Sequence, residues 1–230
     1  MFLPSHVADV SDVRQVEALF QSVKKQLGRI DAVIHCAGVY GPIGSVMEIN
    51  PEEWFETIRI NLYGAFLVSR EACRQMKQTG GGNIVLFSGG GAASPFPYYT
   101  AYACGKVSVV RLTETLAQEV QPFNIRVNCI SPGFVITRLH DDTLKAGELA
   151  GQKFLDTTKK QIESGGIPPS VSAGAAAFLI SDEAKGITGK FVAAPYDGWA
   201  SWPEHVQALQ ETDIFTLRRI VPKDRGMDWQ

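Results

Sequence analysis

The chain has 230 residues, of which 45% are hydrophobic and 20% charged, and its formal net charge is −2. This composition is typical of a globular domain with enough apolar residues for one sizeable core. The small negative charge gives no electrostatic reason to expect a nucleic acid or an anionic membrane as a partner. No stretch is apolar over the roughly 18 residues that a membrane-spanning helix needs.

The four cysteines are scattered without CxxC spacing, and the four histidines form no cluster with metal-ligand spacing. We therefore expect reduced thiols and no metal site. Residues 1–6 lack the basic and apolar regions of a signal peptide. Together these features predict a cytoplasmic protein.

Predicted helices and strands alternate along the first half of the chain. Apolar residues recur at helical spacing over 13–27, directly after Ser11-Asp12, which is a typical helix start. Residues 30–36 are almost all apolar and fit a strand buried on both faces. A long helix is predicted over 51–78, with a proline at its first position, and a second buried strand over 83–87.

The alternation continues to the end of the apolar pattern. It predicts a long helix over 99–120, a strand over 125–130, a polar helical segment over 137–164, a small-residue helix over 171–180 and a last strand over 190–194. Strands alternating with helices indicate an α/β fold with a doubly wound parallel sheet, Rossmann-like and with three layers.

The domain organisation follows from the absence of repeats and of a low-complexity linker. We predict one domain over 1–202 and a C-terminal extension over 203–230 that packs on the same domain or trails from it.

Small, backbone-exposing sequences follow three of the predicted strands. They are Cys36-Ala37-Gly38, Ser88 with the glycines at 89–91, and Pro132-Gly133. Each alone is ordinary turn chemistry. Because ligands of parallel sheets bind beyond the carboxyl ends of the strands, three such turns at one edge predict a binding site there.

Tyr102 and Lys106 lie just past the second of these turns, four residues apart at the start of a predicted helix. This spacing places both side chains on one helical face. A nearby positive charge favours the phenolate, so the pair suits proton exchange with a substrate hydroxyl. The same spacing is common on helices that have no catalytic role.

At this point the chain resembles the classical short-chain dehydrogenase/reductase family over nearly its whole length. The matching motifs, in order and spacing, are Asp9-Val10, Ala37-Gly38, Asn61, Ser88, Tyr102-x-x-x-Lys106, Pro132-Gly133 with Thr137, and Ile187-Thr188-Gly189. The resemblance implies an oxidoreductase that uses NAD or NADP to interconvert an alcohol and a carbonyl.

The resemblance also implies residue roles. Tyr102 would be the general acid/base, Lys106 would lower its pKa and bind the nicotinamide ribose, and Asn61 would hold a water that links Lys106 to solvent. The alternative for Asn61 is an amide that bonds its own helix backbone. Ser88 would position the substrate oxygen, with Ser94 as a second candidate.

Further residues would bind the cofactor by the same resemblance. Asp9 and Val10 would contact the adenine, although Asp9 could equally be a helix-start carboxylate. The turn that includes Pro132, Gly133, Val135 and Thr137 would cradle the nicotinamide, although Thr137 could equally be a cap residue. The cofactor-binding set is completed by Cys36, Ala37, Gly38, Asn61, Tyr102 and Lys106.

The chain departs from the family pattern at three places. The family's Asn-Ala-Gly is Cys36-Ala37-Gly38 here, so one backbone-fixing side chain is lost. The position thirteen residues before the tyrosine, where the family has its serine, is Gly89. The strand-helix-strand unit with a TGxxxGxG phosphate-binding turn has no counterpart, and we interpret the chain as N-terminally truncated relative to the family.

This departure predicts an altered sheet. In the family's strand order, 3-2-1-4-5-6-7, the missing strands lie between segment 3–8 and strand 30–36, a gap on the order of 14 Å. We expect segment 3–8 either to move across and pair with strand 30–36, or to keep the family position beside a void. The unit that selects NAD from NADP would precede Met1.

Two main functions remain open from the sequence. The chain is either a dehydrogenase/reductase acting on a small alcohol or ketone, or a truncated, non-catalytic homologue that serves as an oligomerisation partner. In either case the long helices over 51–78 and 99–120 predict a homodimer or homotetramer, because in this family such helices often form the subunit interface. A third function, epimerase or dehydratase chemistry with the same Tyr102 and Lys106, is disfavoured because that branch of the family usually adds a larger C-terminal substrate domain.

Overall fold

The computed structural model describes residues 5–229, which contain four β-strands and eight α-helices. The strands are β1 Ala32–His35, β2 Gly82–Phe87, β3 Ile125–Ser131 and β4 Phe191–Ala193. The helices are α1 Val13–Leu27, α2 Pro51–Ile58, α3 Gly64–Met76, α4 Thr100–Val120, α5 Arg138–Ala146, α6 Gln152–Glu163, α7 Pro169–Ile180 and α8 Val206–Glu211.

The four strands form one parallel sheet in the order β1-β2-β3-β4. Alternate residues of β2 point to opposite faces, since Ile84 and Leu86 lie in the core under α1, α3 and α4 while Val85 lies in the core under α7. The sheet is therefore covered on both faces. This confirms the predicted three-layer α/β class with a parallel, Rossmann-like sheet.

The helix predicted over 51–78 is interrupted. It begins at α2, whose first turn is capped by the Asn50 side chain, and continues into α3 through a π-helical stretch at Arg59–Tyr63. Such π-turns occur frequently at functional sites. The polar segment predicted over 137–164 forms α5 and α6, joined by a 3-10 turn at Gly147–Ala150.

The N-terminal segment does not join the sheet. Residues 5–9 form no strand, and β1 pairs only with β2 among the described residues. His6 lies beside α1, with its Nε2 atom 3.3 Å from Ser22 Oγ and 3.2 Å from Gln26 Nε2. The prediction that segment 3–8 pairs with strand 30–36 is therefore wrong for residues 5–8, and residues 3 and 4 lie outside the described range.

The C-terminal residues are attached along β4 and α4. The backbone N–H of Phe191 donates to Phe215 O at 2.8 Å, and the N–H of Leu217 donates to Glu114 Oε1 at 2.6 Å. The buried Lys190 ammonium donates to Thr212 O and to Ile214 O. Residues 212–217 thus cover the open edge of β4. Within residues 5–229, no helix combines the length and apolarity required to cross a membrane.

We predict that Lys190→Met lowers the free energy of unfolding by about 1–3 kcal/mol, because two charge-assisted hydrogen bonds that attach residues 212–214 are lost. Chemical denaturation measures this loss, and faster tryptic cleavage at Arg218 would report the released segment. Lys185→Met is the matched control, since Lys185 is exposed. Equal stability of the two variants would contradict the role given to Lys190.

Candidate active site

A cavity of about 900 Å³ opens at the carboxyl ends of β1, β2 and β3. The turns that follow these three strands form part of its wall, as the sequence predicts. The predicted site residues that line it are Cys36, Gly38, Ser88, Tyr102, Lys106, Pro132, Gly133, Val135 and Thr137. A volume of this size is typical of small-molecule and cofactor sites.

The first two turns of α4 bring Tyr102 and Lys106 into the cavity. Both side chains are buried, with relative exposures of 6% and 4%, and the Lys106 ammonium lies 5.6 Å from the centre of the Tyr102 ring. The ammonium donates to Phe87 O, the last carbonyl of β2, at 2.9 Å. Lys106 thus joins the helix to the strand end while its charge stays near the phenol.

Burial dominates the proton affinities of this pair. It raises the pKa of the Tyr102 phenol above its ordinary value and lowers the pKa of Lys106 to about 8. Burial is the cause of the raised Tyr102 pKa, and the lowering effect expected of Lys106 on this pKa stays a prediction. Burial, followed by the charge of Lys106, lowers the pKa of His35 to about 4.

Ser88 and Gly89 occupy the position between β2 and Tyr102. The buried Ser88 hydroxyl donates to Lys106 O at 2.9 Å, so it holds α4 to the strand end. A Cβ atom added at Gly89 would overlap the Tyr102 hydroxyl. The family's serine position thus has no room for a side chain while Tyr102 keeps this conformation. The substrate-positioning role of Ser88 stays a prediction.

Asn61 fixes the loop that follows β1. Its Oδ1 accepts from the N–H of Val39 at 2.9 Å, and its Nδ2 donates to Val39 O at 2.8 Å. The alternative in which Asn61 bonds its own helix is therefore wrong. A Cβ at Gly38 would lie 2.9 Å from Asn61 Oδ1 and 3.0 Å from Lys106 Nζ, so a glycine is required for the loop to approach both side chains.

The turn after β3 forms the opposite wall. Gly133 has φ of 74°, which favours glycine, and a Cβ there would lie 2.8 Å from Pro195 Cγ. Thr137 is the N-cap residue of α5 and also lines the cavity, so both of its predicted roles are compatible with its position. Its N–H donates to His140 Nδ1 at 3.3 Å.

Four predicted site residues lie outside the cavity wall. Asn61 and Ala37 are behind it, and Asp9 and Val10 are near the start of α1. The Asp9 carboxylate accepts from both Ser11 N and Ser11 Oγ, and these hydrogen bonds lower its pKa. This is the local helix-start arrangement that was the alternative for Asp9. Its adenine contact stays a prediction.

Several cavity residues were not identified from the sequence. Tyr40 follows the β1 turn, Phe96 follows the glycine loop, and Leu139, His140 and Phe154 come from α5 and α6. The position of Tyr40 and Phe96 after strand ends is the one signal that could have marked them. The contribution of α5 and α6 depends on how these helices fold over the cavity, which the sequence pattern does not specify.

Comparisons with known proteins agree with this geometry. A family model described as Enoyl-(Acyl carrier protein) reductase matches residues 4–195. An NAD-dependent glycerol dehydrogenase from Listeria innocua is 35% identical over 184 residues, which are 79% of this chain and 69% of that protein. The chain belongs to the short-chain dehydrogenase/reductase family. Dehydrogenase/reductase SDR family member 4 from Homo sapiens is 32% identical over 186 residues, which are 81% of this chain and 66% of that protein.

A solved structure of this short-chain dehydrogenase/reductase fold is also similar. The crystal structure of an NAD+-bound xylitol dehydrogenase superimposes with a TM-score of 0.75 at 29% identity, and the match covers 82% of this chain and 76% of that one. The chain spans about two thirds of the length of the curated relatives. These relatives are named as dehydrogenases or reductases, one of them NAD-dependent and one solved with NAD+, and they place this chain among the oxidoreductases that use NAD or NADP.

We predict that Ser88→Ala lowers the free energy of unfolding by about 1–3 kcal/mol, because the buried Lys106 carbonyl loses its donor. Thermal or chemical denaturation measures the loss. Ser108→Ala is the matched control, since the exposed Ser108 hydroxyl also donates to a carbonyl of α4, that of Cys104. A loss for Ser108→Ala as large as that for Ser88→Ala would contradict the anchoring role.

Proposed function

We propose that this protein interconverts an alcohol and a carbonyl by hydride transfer with NAD or NADP, with Tyr102 as the general acid/base. The observation that carries the proposal is the convergence of the buried Tyr102 and Lys106 with the Pro132–Thr137 turn in one cavity at the carboxyl edge of a parallel sheet. The relatives named for glycerol and xylitol oxidation support the same reaction class.

The residues present fit the nicotinamide end of the cofactor. Gly38, after β1, and Gly133, after β3, leave two parts of the cavity wall without side chains. The Lys106 ammonium, close to Gly38, provides a hydrogen-bond donor. When bound, the cofactor would supply or accept the hydride. Lys106, Thr137 and the backbone of the Pro132–Val135 turn would hold its nicotinamide and ribose. The choice between NAD and NADP stays open.

Tyr102 performs the proton step in this proposal. Its raised pKa keeps the phenol protonated at neutral pH, so the hydroxyl donates a proton to the carbonyl oxygen during reduction. The charged Lys106 then stabilises the phenolate that is left in the apolar cavity. In the reverse direction the phenolate accepts the proton of the alcohol. Asn61 supports both steps by fixing the loop against which Lys106 packs.

We predict that Tyr102→Phe lowers kcat/KM for ketone reduction by roughly 100- to 10,000-fold, since the general acid is removed. NADH or NADPH absorbance measures the rate over a panel of ketones. Tyr98→Phe is the control, because Tyr98 is exposed and four residues away on the same segment. Retention of activity in Tyr102→Phe, with the fold intact by circular dichroism, would refute the assignment.

The pH dependence of reduction follows from Lys106. Its ammonium is charged below the folded-state pKa of about 8 and becomes neutral as the pH rises through this value. We therefore expect kcat/KM for reduction to be constant below pH 8 and to fall above it, because the phenolate loses its stabilising charge. Initial rates from pH 6 to 10 test this. A flat profile across the range would contradict the role of Lys106.

Assembly is the second part of the proposal. Phe55, Tyr63 and Phe66 are 65%, 40% and 43% exposed on the outer side of α2, the π-helical stretch and α3. We propose that this surface forms a homodimer or homotetramer interface. Light scattering tests the oligomeric state, with Phe66→Glu expected to give monomers. A monomeric wild-type protein would overturn the proposed interface.

The alternative function, a non-catalytic oligomerisation partner, would use the same interface surface. It differs from the proposed function in that the cavity would catalyse no reaction. It predicts an oligomer that shows no cofactor-dependent turnover with any ketone.

A cytoplasmic location stays a prediction from composition. The four cysteines are free in the described residues.

A further inference from the structure

The cavity next to Tyr102 is bounded by aromatic rings. Tyr40 contacts the Tyr102 ring edge-on with centroids 4.7 Å apart, and Phe96 lies on another side at 6.2 Å. Phe154 from α6 meets Phe96 edge-on at 4.7 Å. These three rings line the cavity and surround the proposed proton donor. Leu139 from α5 adds an aliphatic surface to the same region.

The cavity wall, as far as the structure describes it, lacks the carboxylate and amide side chains that bind several hydroxyl groups at once. Among the described residues that line it there is no Asp, Glu, Asn, Gln or Arg, and the one cation is Lys106. Of the lining serines, Ser88 and Ser172 already donate to backbone carbonyls. The other aliphatic hydroxyls of the wall belong to Ser94, Ser131 and the α5 N-cap residue Thr137. A hydroxyl that loses its water here without finding a partner costs about 1–3 kcal/mol.

His140 supplies one neutral donor at the far side of Tyr40. Its Nδ1 accepts from the Thr137 N–H, so this hydrogen bond assigns the ring proton to Nε2. Burial lowers the pKa of His140, which keeps the ring neutral. His140 stacks on Phe134 with centroids 3.9 Å apart and lines the cavity. It therefore adds a hydrogen-bond donor without adding a charge.

We propose that the substrate is an uncharged ketone or secondary alcohol whose body is aromatic or otherwise flat and apolar, and not a polyol or ketose. Tyr40, Phe96 and Phe154 would contact this body, while its oxygen lies at Tyr102. The inference rests on the proposed function, since it names the substrate class of that site. It separates this chain from the relatives named for glycerol and xylitol.

The test compares two butanones, benzylacetone and erythrulose, which share the carbonyl position and differ in an aromatic or a polyhydroxyl body. Isothermal titration of the full chain, alone and with NAD+ or NADP+, measures affinity independently of turnover, because the oxidised cofactors cannot reduce a ketone. We expect benzylacetone to bind at least tenfold more tightly. Tighter or equal binding of erythrulose, or no saturable binding of benzylacetone, would overturn the inference.

Two variants test whether the preference for an aromatic ketone over a polyhydroxyl ketone arises in the cavity. Phe154→Ala should weaken benzylacetone binding about 3- to 10-fold and leave erythrulose unchanged, as expected for the loss of one aromatic contact. Phe123, which is exposed and lies outside the cavity wall, provides the control Phe123→Ala. Leu139→Gln adds an amide at similar volume and should shift the binding preference toward erythrulose. This variant tests the inference independently if thermal melting shows that Phe154→Ala is unstable. An unchanged ratio in every folded variant would also overturn the inference.

Turnover is read separately from binding. Preferential binding of benzylacetone with no change in cofactor absorbance would support the substrate class and refute the proposed hydride transfer. Turnover of erythrulose in preference to benzylacetone would support the hydride transfer and refute the substrate class.

Discussion

The attachment of α4 to the end of β2 is the interaction on which the site depends. Lys106 makes this attachment twice, because its ammonium donates to Phe87 O and its carbonyl accepts from Ser88 Oγ. β2 is hydrogen-bonded to β1 and β3 in register, so a helix fixed to β2 is also fixed relative to the turns after both neighbours. The reacting groups are therefore held by the central part of the sheet.

The same attachment explains the chemistry of the pair. To reach Phe87 O, the Lys106 ammonium must lie inside the protein, where the loss of water destabilises its charge and lowers its pKa to about 8. Tyr102 is buried by the same geometry and keeps its proton. The Tyr102 phenol must be neutral before it gives up its proton, and the phenolate that remains must be stabilised. A buried phenol beside the Lys106 cation meets both requirements.

Much of the fold could be predicted from the sequence because buried parallel strands leave apolar runs and amphipathic helices leave periodic ones. The edge location of Tyr102 and Lys106 followed from the turns after the strands. The π-helical stretch around Asn61 could not be predicted from local sequence. Asn61 lies in this stretch and accepts a hydrogen bond from Val39, 22 residues away, and such a contact exists only in the folded chain. The aromatic wall was also missed, because Tyr40, Phe96 and Phe154 come from three segments that meet only in the folded chain. The effect of burial on the Tyr102 pKa was missed as well, because it depends on how the cavity packs around α4.

The transfer of deuterium from cofactor to product tests the central claim most directly. The protein is incubated with a ketone and NADH or NADPH deuterated at the transferred position of the nicotinamide, and the alcohol is analysed by mass spectrometry. The account predicts one deuterium on the carbinol carbon and an unlabelled hydroxyl after exchange in water. Alcohol formed without deuterium, or no alcohol from any ketone while the cofactor binds, would contradict it.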